Sequence, residues 1–212
     1  MIAVYNGEGV AAKFKKILVA SLSPHPVRLL SANALISSSW EKECRLLILP
    51  GGRDRPYHRD LKGEGNRKIK RFVEQGGSYL GICAGAYYAA ASVAFDLGGP
   101  LEVNEARELS LFPGEAVGPL APFCYNDPSR ERLISLGEAS VLYYGGPTFP
   151  NAPAESVLYR YPSGLPAILS FPFGRGLVLL SGPHVEVPVQ GGQQELFASL
   201  LNRALRSNTS LQ

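Results

Sequence analysis

Residues 78–85 read Ser78-Tyr79-Leu80-Gly81-Ile82-Cys83-Ala84-Gly85, a short apolar run that ends in Gly-x-Cys-x-Gly and opens into an alanine-rich stretch over 84–95. No other segment constrains the chain as tightly. The pattern predicts a strand, a tight turn carrying a cysteine, and a helix over 84–95. A nucleophile placed this way sits on a strained turn with its side chain exposed above the sheet edge. Glycines on either side let the backbone fold that sharply without Cβ clashes. The helix that follows directs free N–H groups and its positive dipole end at the sulfur, which favours thiolate over thiol. Of the three cysteines, only Cys83 has this setting.

The rest of the chain fits a sheet built around that turn. Apolar runs at 2–5, 27–30 and 46–49 read as strands, and 10–20 and 64–75 as helices. Ala12, Ile17 and Val19 are among the apolar positions of the first helix; Gly76-Gly77 closes the second. Residues 167–171 and 177–180 read as a hairpin returning to the sheet, and 193–206 as a last helix burying Leu196, Leu200 and Leu201. Strand–helix alternation of this kind predicts an α/β fold, a doubly wound, mainly parallel sheet with helices on both faces. Between 98 and 166 the rhythm breaks: prolines and glycines are dense, and short β-like runs appear at 140–144 and 157–161. This is read as an antiparallel extension inserted into a single domain, 1–206, with a polar tail at 207–212. At 212 residues and 45% hydrophobic, the chain can bury a core of that size.

Several function classes are set aside by the bulk numbers. No apolar run reaches the length of about 18 residues that a membrane span needs. The start, Met1-Ile2-Ala3-Val4-Tyr5, reads as a strand and not as a secretion signal. Cys44, Cys83 and Cys124 are spread apart and odd in number, which favours free thiols in a reducing cytosol over a disulfide framework. They lack zinc-ligand spacing, and His25, His58 and His184 add no cluster, so no metal or other cofactor is expected. Positive charge gathers at Lys62, Arg67, Lys68, Lys70 and Arg71, with Ile69, Phe72 and Val73 as the buried stripe. This is a solvated helix face; aromatics do not interleave with it and the net charge is only +3, so no nucleic-acid partner is expected.

Open α/β sheets place ligands beyond the carboxyl ends of their strands. Three loops fall at such ends: Pro50-Gly51-Gly52, Cys83-Ala84, and Gly182-Pro183-His184-Val185-Glu186. A thiolate nucleophile needs a base and a group that orients the base. In an extended segment His184 and Glu186 project to the same side, so the carboxylate can hold one imidazole nitrogen while the other faces Cys83. Acyl transfer also needs backbone donors for a developing oxyanion. Ala84 supplies one, and Gly51 or Gly52 the other. Tyr87, Tyr144, Gly145 and Gly146 are candidate substrate contacts, although Tyr143-Tyr144-Gly145-Gly146-Pro147 also reads as a turn with ordinary packing. His58 reads as an exposed residue near the crevice mouth, and Cys44 and Cys124 as core or loop residues.

Leu49-Pro50-Gly51-Gly52, Gly81-Ile82-Cys83-Ala84-Gly85 and Gly182-Pro183-His184-Val185-Glu186 resemble the three signature loops of the class I glutamine amidotransferase-like superfamily. Within it the chain looks most like the N-terminal domain of eukaryotic biotin–protein ligases. Val4-Tyr5-Asn6-Gly7, Pro50-Gly51-Gly52-Arg53-Asp54-x-Pro56-Tyr57, Phe112-Pro113-Gly114 and Tyr144-Gly145-Gly146-Pro147 all fit that subfamily, over about residues 1–204. The resemblance implies a flavodoxin-like sheet, Cys83 as nucleophile, His184 as base and Glu186 as its orienting partner, with Gly51 or Gly52 and Ala84 as the oxyanion hole. It carries two departures. Tyr87 stands where active glutaminases have a glutamine that helps hold the substrate, and Val185 stands where proline is usual. Tyr87 counts against glutamine as substrate. A biotin-binding ligase domain has no counterpart in these residues, so biotinylation is not carried over.

The expected function is therefore a cysteine-nucleophile amide hydrolase or amidotransferase. Its partners would be a small-molecule amide substrate or ligand and, on the resemblance, a partner protein or synthase subunit. A non-catalytic small-molecule-binding or regulatory module on the same scaffold is the alternative, motivated by Tyr87 and the extension. A low-pKa thiol would also serve redox sensing.

Overall fold

Every residue of Ile2–Tyr5, Leu46–Leu49 and Ser78–Ile82 is buried, so these strands need cover on both faces. The structure is a computed structural model that describes residues 1–121, 123 and 132–206. In chain order its elements are β1 (Ile2–Tyr5), α1 (Ala12–Ser21), β2 (Val27–Leu30), α2 (Ala32–Ser37), β3 (Leu46–Leu49), α3 (Asp54–Leu61), α4 (Glu64–Glu74), β4 (Ser78–Ile82), α5 (Ala84–Ala89), β5 (Ala90–Phe95), β6 (Val103–Ala106), β7 (Phe112–Gly118), β8 (Arg132–Leu136), β9 (Ala139–Tyr143), β10 (Val157–Arg160), β11 (Pro166–Phe173), β12 (Gly176–Ser181) and α6 (Gln193–Arg206).

The central sheet has seven strands in the order β10-β11-β12-β4-β3-β1-β2. From β2 to β12 the pairings are parallel, and β11 and β10 add an antiparallel edge. This is the doubly wound, flavodoxin-like arrangement with helices on both faces. Alternation along the strands divides the core accordingly. Ala3, Tyr5, Leu47 and Leu49 face one layer, packed with residues of α2, α3, α4 and α5. Ile2, Val4, Leu46 and Ile48 face the other, with Leu18 of α1 and Leu196, Leu200 and Leu201 of α6. In α4, Ile69, Phe72 and Val73 lie on the buried stripe, and Arg67, Arg71 and the preceding Lys62 are exposed; Lys68 and Lys70 are instead half-buried, Lys68 donating to the Ile36 carbonyl at 3.2 Å.

Three expectations are corrected and two helices are added. The helix expected over 84–95 stops at Ala89, and residues 90–95 form β5, paired with β6 and β7 in a three-stranded sheet. The run Ser92-Val93-Ala94-Phe95 has strand-like composition, and pairing with two neighbours overrides the helix propensity of the alanines. In α1, Phe14 and Leu18 are the buried pair; Ala12 is exposed, and Ile17 and Val19 are half-buried. The segment 98–166 is not uniformly antiparallel, because β5 and β7 run parallel, and β10 belongs to the central sheet. Two helices, α2 and α3, occupy stretches without a sequence assignment; α2 is capped by Ser31, whose Oγ accepts from the Ala34 N–H at 3.1 Å. Cys124 and the tail 207–212 lie outside the described residues. No helix of the described residues is long and apolar enough to cross a membrane.

Candidate functional site

The register Leu49↔Gly81 and Ser181↔Ile82 brings the ends of β3, β4 and β12 side by side. The three glycine-bearing loops therefore meet. At the middle one, Cys83 has φ 50° and ψ −104°, a conformation that costs a non-glycine residue about 1–3 kcal/mol. The chain can turn there because Gly81 and Gly85, two residues away on either side, lack side chains. A Cβ on Gly81 would lie 2.5 Å from the Gly85 carbonyl oxygen, and one on Gly85 would lie 2.0 Å from that of Leu49. The thiol is less exposed than the sequence predicts: Cys83 is 6% accessible, and its Sγ sits 3.8 Å from the Tyr144 carbonyl oxygen. The loop drops the cysteine to the floor of a cavity of about 810 Å³ instead of raising it above the sheet.

His184 and Glu186 are both fully buried, and His184 Nδ1 lies 2.8 Å from Glu186 Oε1. Burial alone would lower the imidazole pKa. The Glu186 carboxylate and the Cys83 sulfur outweigh it and push the value up to about 10. The sulfur is thus close enough to act on the ring's charge, while Nε2 has no aligned hydrogen-bond partner among the described residues. The loop is held at several points. The His184 N–H donates to the Leu142 carbonyl at 2.8 Å, Ser21 Oγ donates to the Glu186 carbonyl at 3.0 Å, and the Gln193 side-chain amide donates to that of Val185. Phe14 stacks on the imidazole, with centroids 3.8 Å apart and planes at 24°.

Gly51 and Gly52 divide two tasks. A Cβ on Gly51 would lie 2.4 Å from His184 Cε1, so this glycine makes room for the ring. Gly52, with φ +149°, lies on the cavity wall together with Ala84. The backbone N–H groups of Gly52 and Ala84 donate to nothing in the hydrogen-bond network of the described residues. Tyr87 also lines the cavity, but its hydroxyl donates to the Gly145 carbonyl at 3.1 Å and its ring packs edge-on against Phe95. Gly145 is on the wall, Tyr144 touches both Phe14 and His184, and Gly146 sits behind them, its carbonyl accepting from the Tyr143 hydroxyl at 2.9 Å.

His58 is half-buried on the cavity wall, and burial lowers its pKa, with nearby Arg107 adding to the effect. Cys44 is a core residue far from this chemistry: burial raises its pKa to about 11. Sequence reasoning did not find Phe14, Leu142 or the cavity-wall residue Arg53. Phe14 at helical spacing from Leu18 signals a buried face, but nothing local signals a stack on a histidine 170 residues later. Among the described residues no group of three or more histidine, cysteine, aspartate or glutamate side chains is placed to hold a metal.

Solved structures similar to this fold include a glutamine amidotransferase (TM-score 0.66, 20% identity, covering 96% of this chain and 98% of that one). PurLQS from Thermotoga maritima is similar at TM-score 0.64 and 16% identity, over 95% of this chain and 97% of that one. The fold also recurs within a longer chain, Gan42B, a GH42 beta-galactosidase, at TM-score 0.56 and 12% identity over 95% of this chain and 29% of that one. At these identities the likeness is one of fold. Sequence relatives are closer. An uncharacterized protein of Chlamydia muridarum is 38% identical over 207 residues, 87% of this chain and 80% of that protein. A biotin–protein ligase of Schizosaccharomyces pombe is 32% identical over 213 residues, which is 90% of this chain but 34% of the ligase. The family described as biotin-protein ligase, N terminal, matches residues 1–208. With a glutamine amidotransferase-like fold and a match across nearly its whole length, the chain belongs to the family of biotin–protein ligase N-terminal domains.

Proposed function

We propose that this domain is a cysteine-nucleophile amide hydrolase or amidotransferase with Cys83, His184 and Glu186 as its reacting groups. The observation that carries the reading is the fully buried His184–Glu186 pair beside Cys83 on the cavity wall, with the sulfur near enough to help raise the imidazole pKa. In the first step the Cys83 thiol passes its proton to His184 as Sγ bonds to the amide carbonyl carbon, and the oxyanion meets the free N–H groups of Gly52 and Ala84. Collapse breaks the C–N bond; imidazolium His184 gives its proton to the departing nitrogen, leaving a thioester. Water then attacks the thioester, His184 accepts its proton, and collapse releases the carboxylic acid as His184 returns that proton to the departing sulfur. Glu186 holds the ring by Nδ1 throughout.

A second reading keeps the cavity and omits turnover. The tie between the Tyr87 hydroxyl and Gly145 favours it, since that wall then binds through shape and leaves no free hydroxyl for a substrate.

Two measurements separate the readings. Folded protein is treated with iodoacetamide and the modified cysteines are mapped; Cys83 is expected to react well ahead of Cys44. Ammonia release from a panel of primary amides is then compared with that of Cys83→Ala. Equal labelling of the two cysteines, or ammonia release no greater than in the variant, would leave only the binding module.

A further inference from the structure

The charged groups around the cavity are unequally committed. Glu8 accepts from Arg59 at 2.7 Å, Asp54 pairs with Arg107 at 2.7 Å, and Glu105 pairs with both Arg55 and Arg107. Glu102 accepts the Gly98 N–H at 2.9 Å. Every carboxylate on the wall therefore already holds a donor. Of the arginines, Arg55 and Arg59 are paired, whereas the Arg53 side chain has no hydrogen bond or ion pair with any described residue. Arg53 follows Gly52 directly, lines the same cavity as Cys83, and is exposed to it. Its backbone is fixed, because its N–H donates to the Gly9 carbonyl at 2.9 Å at the start of α3. A guanidinium on a fixed stem is a fork suited to two carboxylate oxygens.

We propose that Arg53 is the substrate-anchoring residue of this cavity, and that the ligand is a small primary amide bearing a carboxylate and needing no ammonium group. This deepens the amide-hydrolase reading and rests on it for the amide end alone. Each wall carboxylate already has a donor or counter-charge against it, so an ammonium gains less there than a carboxylate gains at the unanswered guanidinium of Arg53. The Tyr87 hydroxyl, its proton committed to Gly145, has none left to donate to a ligand carboxylate.

The test uses glutaramate, which has a carboxylate and a primary amide but no amine, beside the neutral glutaramide and the zwitterion glutamine. Binding is measured by calorimetry on Cys83→Ala, where no turnover interferes, and again on Cys83→Ala carrying Arg53→Gln or Arg53→Lys. Glutaramate is expected to bind at least about tenfold more tightly than glutaramide and more tightly than glutamine. Arg53→Gln should erase the preference over glutaramide, and Arg53→Lys should keep part of it, because the charge stays while the fork is lost. Equal affinity for glutaramate and glutaramide, or a preference that survives Arg53→Gln, overturns the proposal. Ammonia release by the unsubstituted protein separates the two readings. Arg53-dependent glutaramate binding without ammonia release ends the hydrolase reading and leaves the anchor standing. Hydrolysis indifferent to the charge of the amide ends the anchor and leaves the hydrolase.

Discussion

A histidine sealed from solvent gives up its proton unless a counter-charge lies against it. Here burial lowers the pKa of His184, and Glu186 at 2.8 Å together with the Cys83 sulfur reverses the sign. Replacing Glu186 by glutamine removes the principal counter-charge and keeps the burial. The imidazole of Glu186→Gln is therefore expected to titrate well below the value near 10 of the unaltered protein, which an NMR titration of the His184 Cε1 proton will read. Should the resonance titrate at the same pH in both proteins, Glu186 does not set the charge of the ring. The His-x-Glu pair was legible in the sequence because alternate residues of an extended segment share a side. The role of Gly51 was not. Its requirement comes from an imidazole that arrives from another strand, and a Gly-Gly after a strand reads as simple punctuation until that ring is placed.

Among the elements, α3 is joined to the three-stranded sheet by a buried cation. The Arg107 side chain has no exposure, contacts Asp54 at the start of α3 through two nitrogens, and has its backbone N–H bonded to the Ala91 carbonyl. Truncating one member of such a pair strands the other in a poorly solvated place. Arg107→Ala is expected to destabilise the fold by about 3–5 kcal/mol in urea denaturation. Removing Asp54 as well, in Asp54→Ala/Arg107→Ala, should cost less than the sum of the two single changes. Strict additivity would show that the pair is not coupled. The sequence showed neither this pair nor α3, whose only buried residues are Tyr57 and Leu61 in an otherwise polar helix of about two turns. By contrast β3 and α6 were readable, since a continuous apolar run or a repeated apolar stripe suffices to define them, whereas β2, interrupted by Arg28, was only weakly signalled. Residues 84–95 misled because alanine is compatible with both states, and the partner strands that decide for β5 lie up to 23 residues away.

For the molecule as a whole, a raised histidine pKa couples folding to pH. The folded value near 10 exceeds the unfolded one of about 6.5, so the stabilisation is fully present below pH 6.5 and is lost as pH rises through 10. The thermal midpoint should fall across that interval, by several degrees for each few kcal/mol lost, and the fall should be smaller in His184→Gln. Identical slopes in the two proteins would mean the histidine is not the titrating group. The convergence of the three loops followed from chain order, because parallel strands in a doubly wound sheet deliver their following loops to one edge. The bond from His184 to Leu142 did not follow, being a contact between the end of β12 and a hairpin whose position no local pattern records. That single bond has a practical outcome: His184 is moored to β9, so the orientation of its imidazole is governed partly by a peripheral ribbon. A lesion that loosens the ribbon will thus be felt at the His184–Glu186 pair while the seven central strands stay intact.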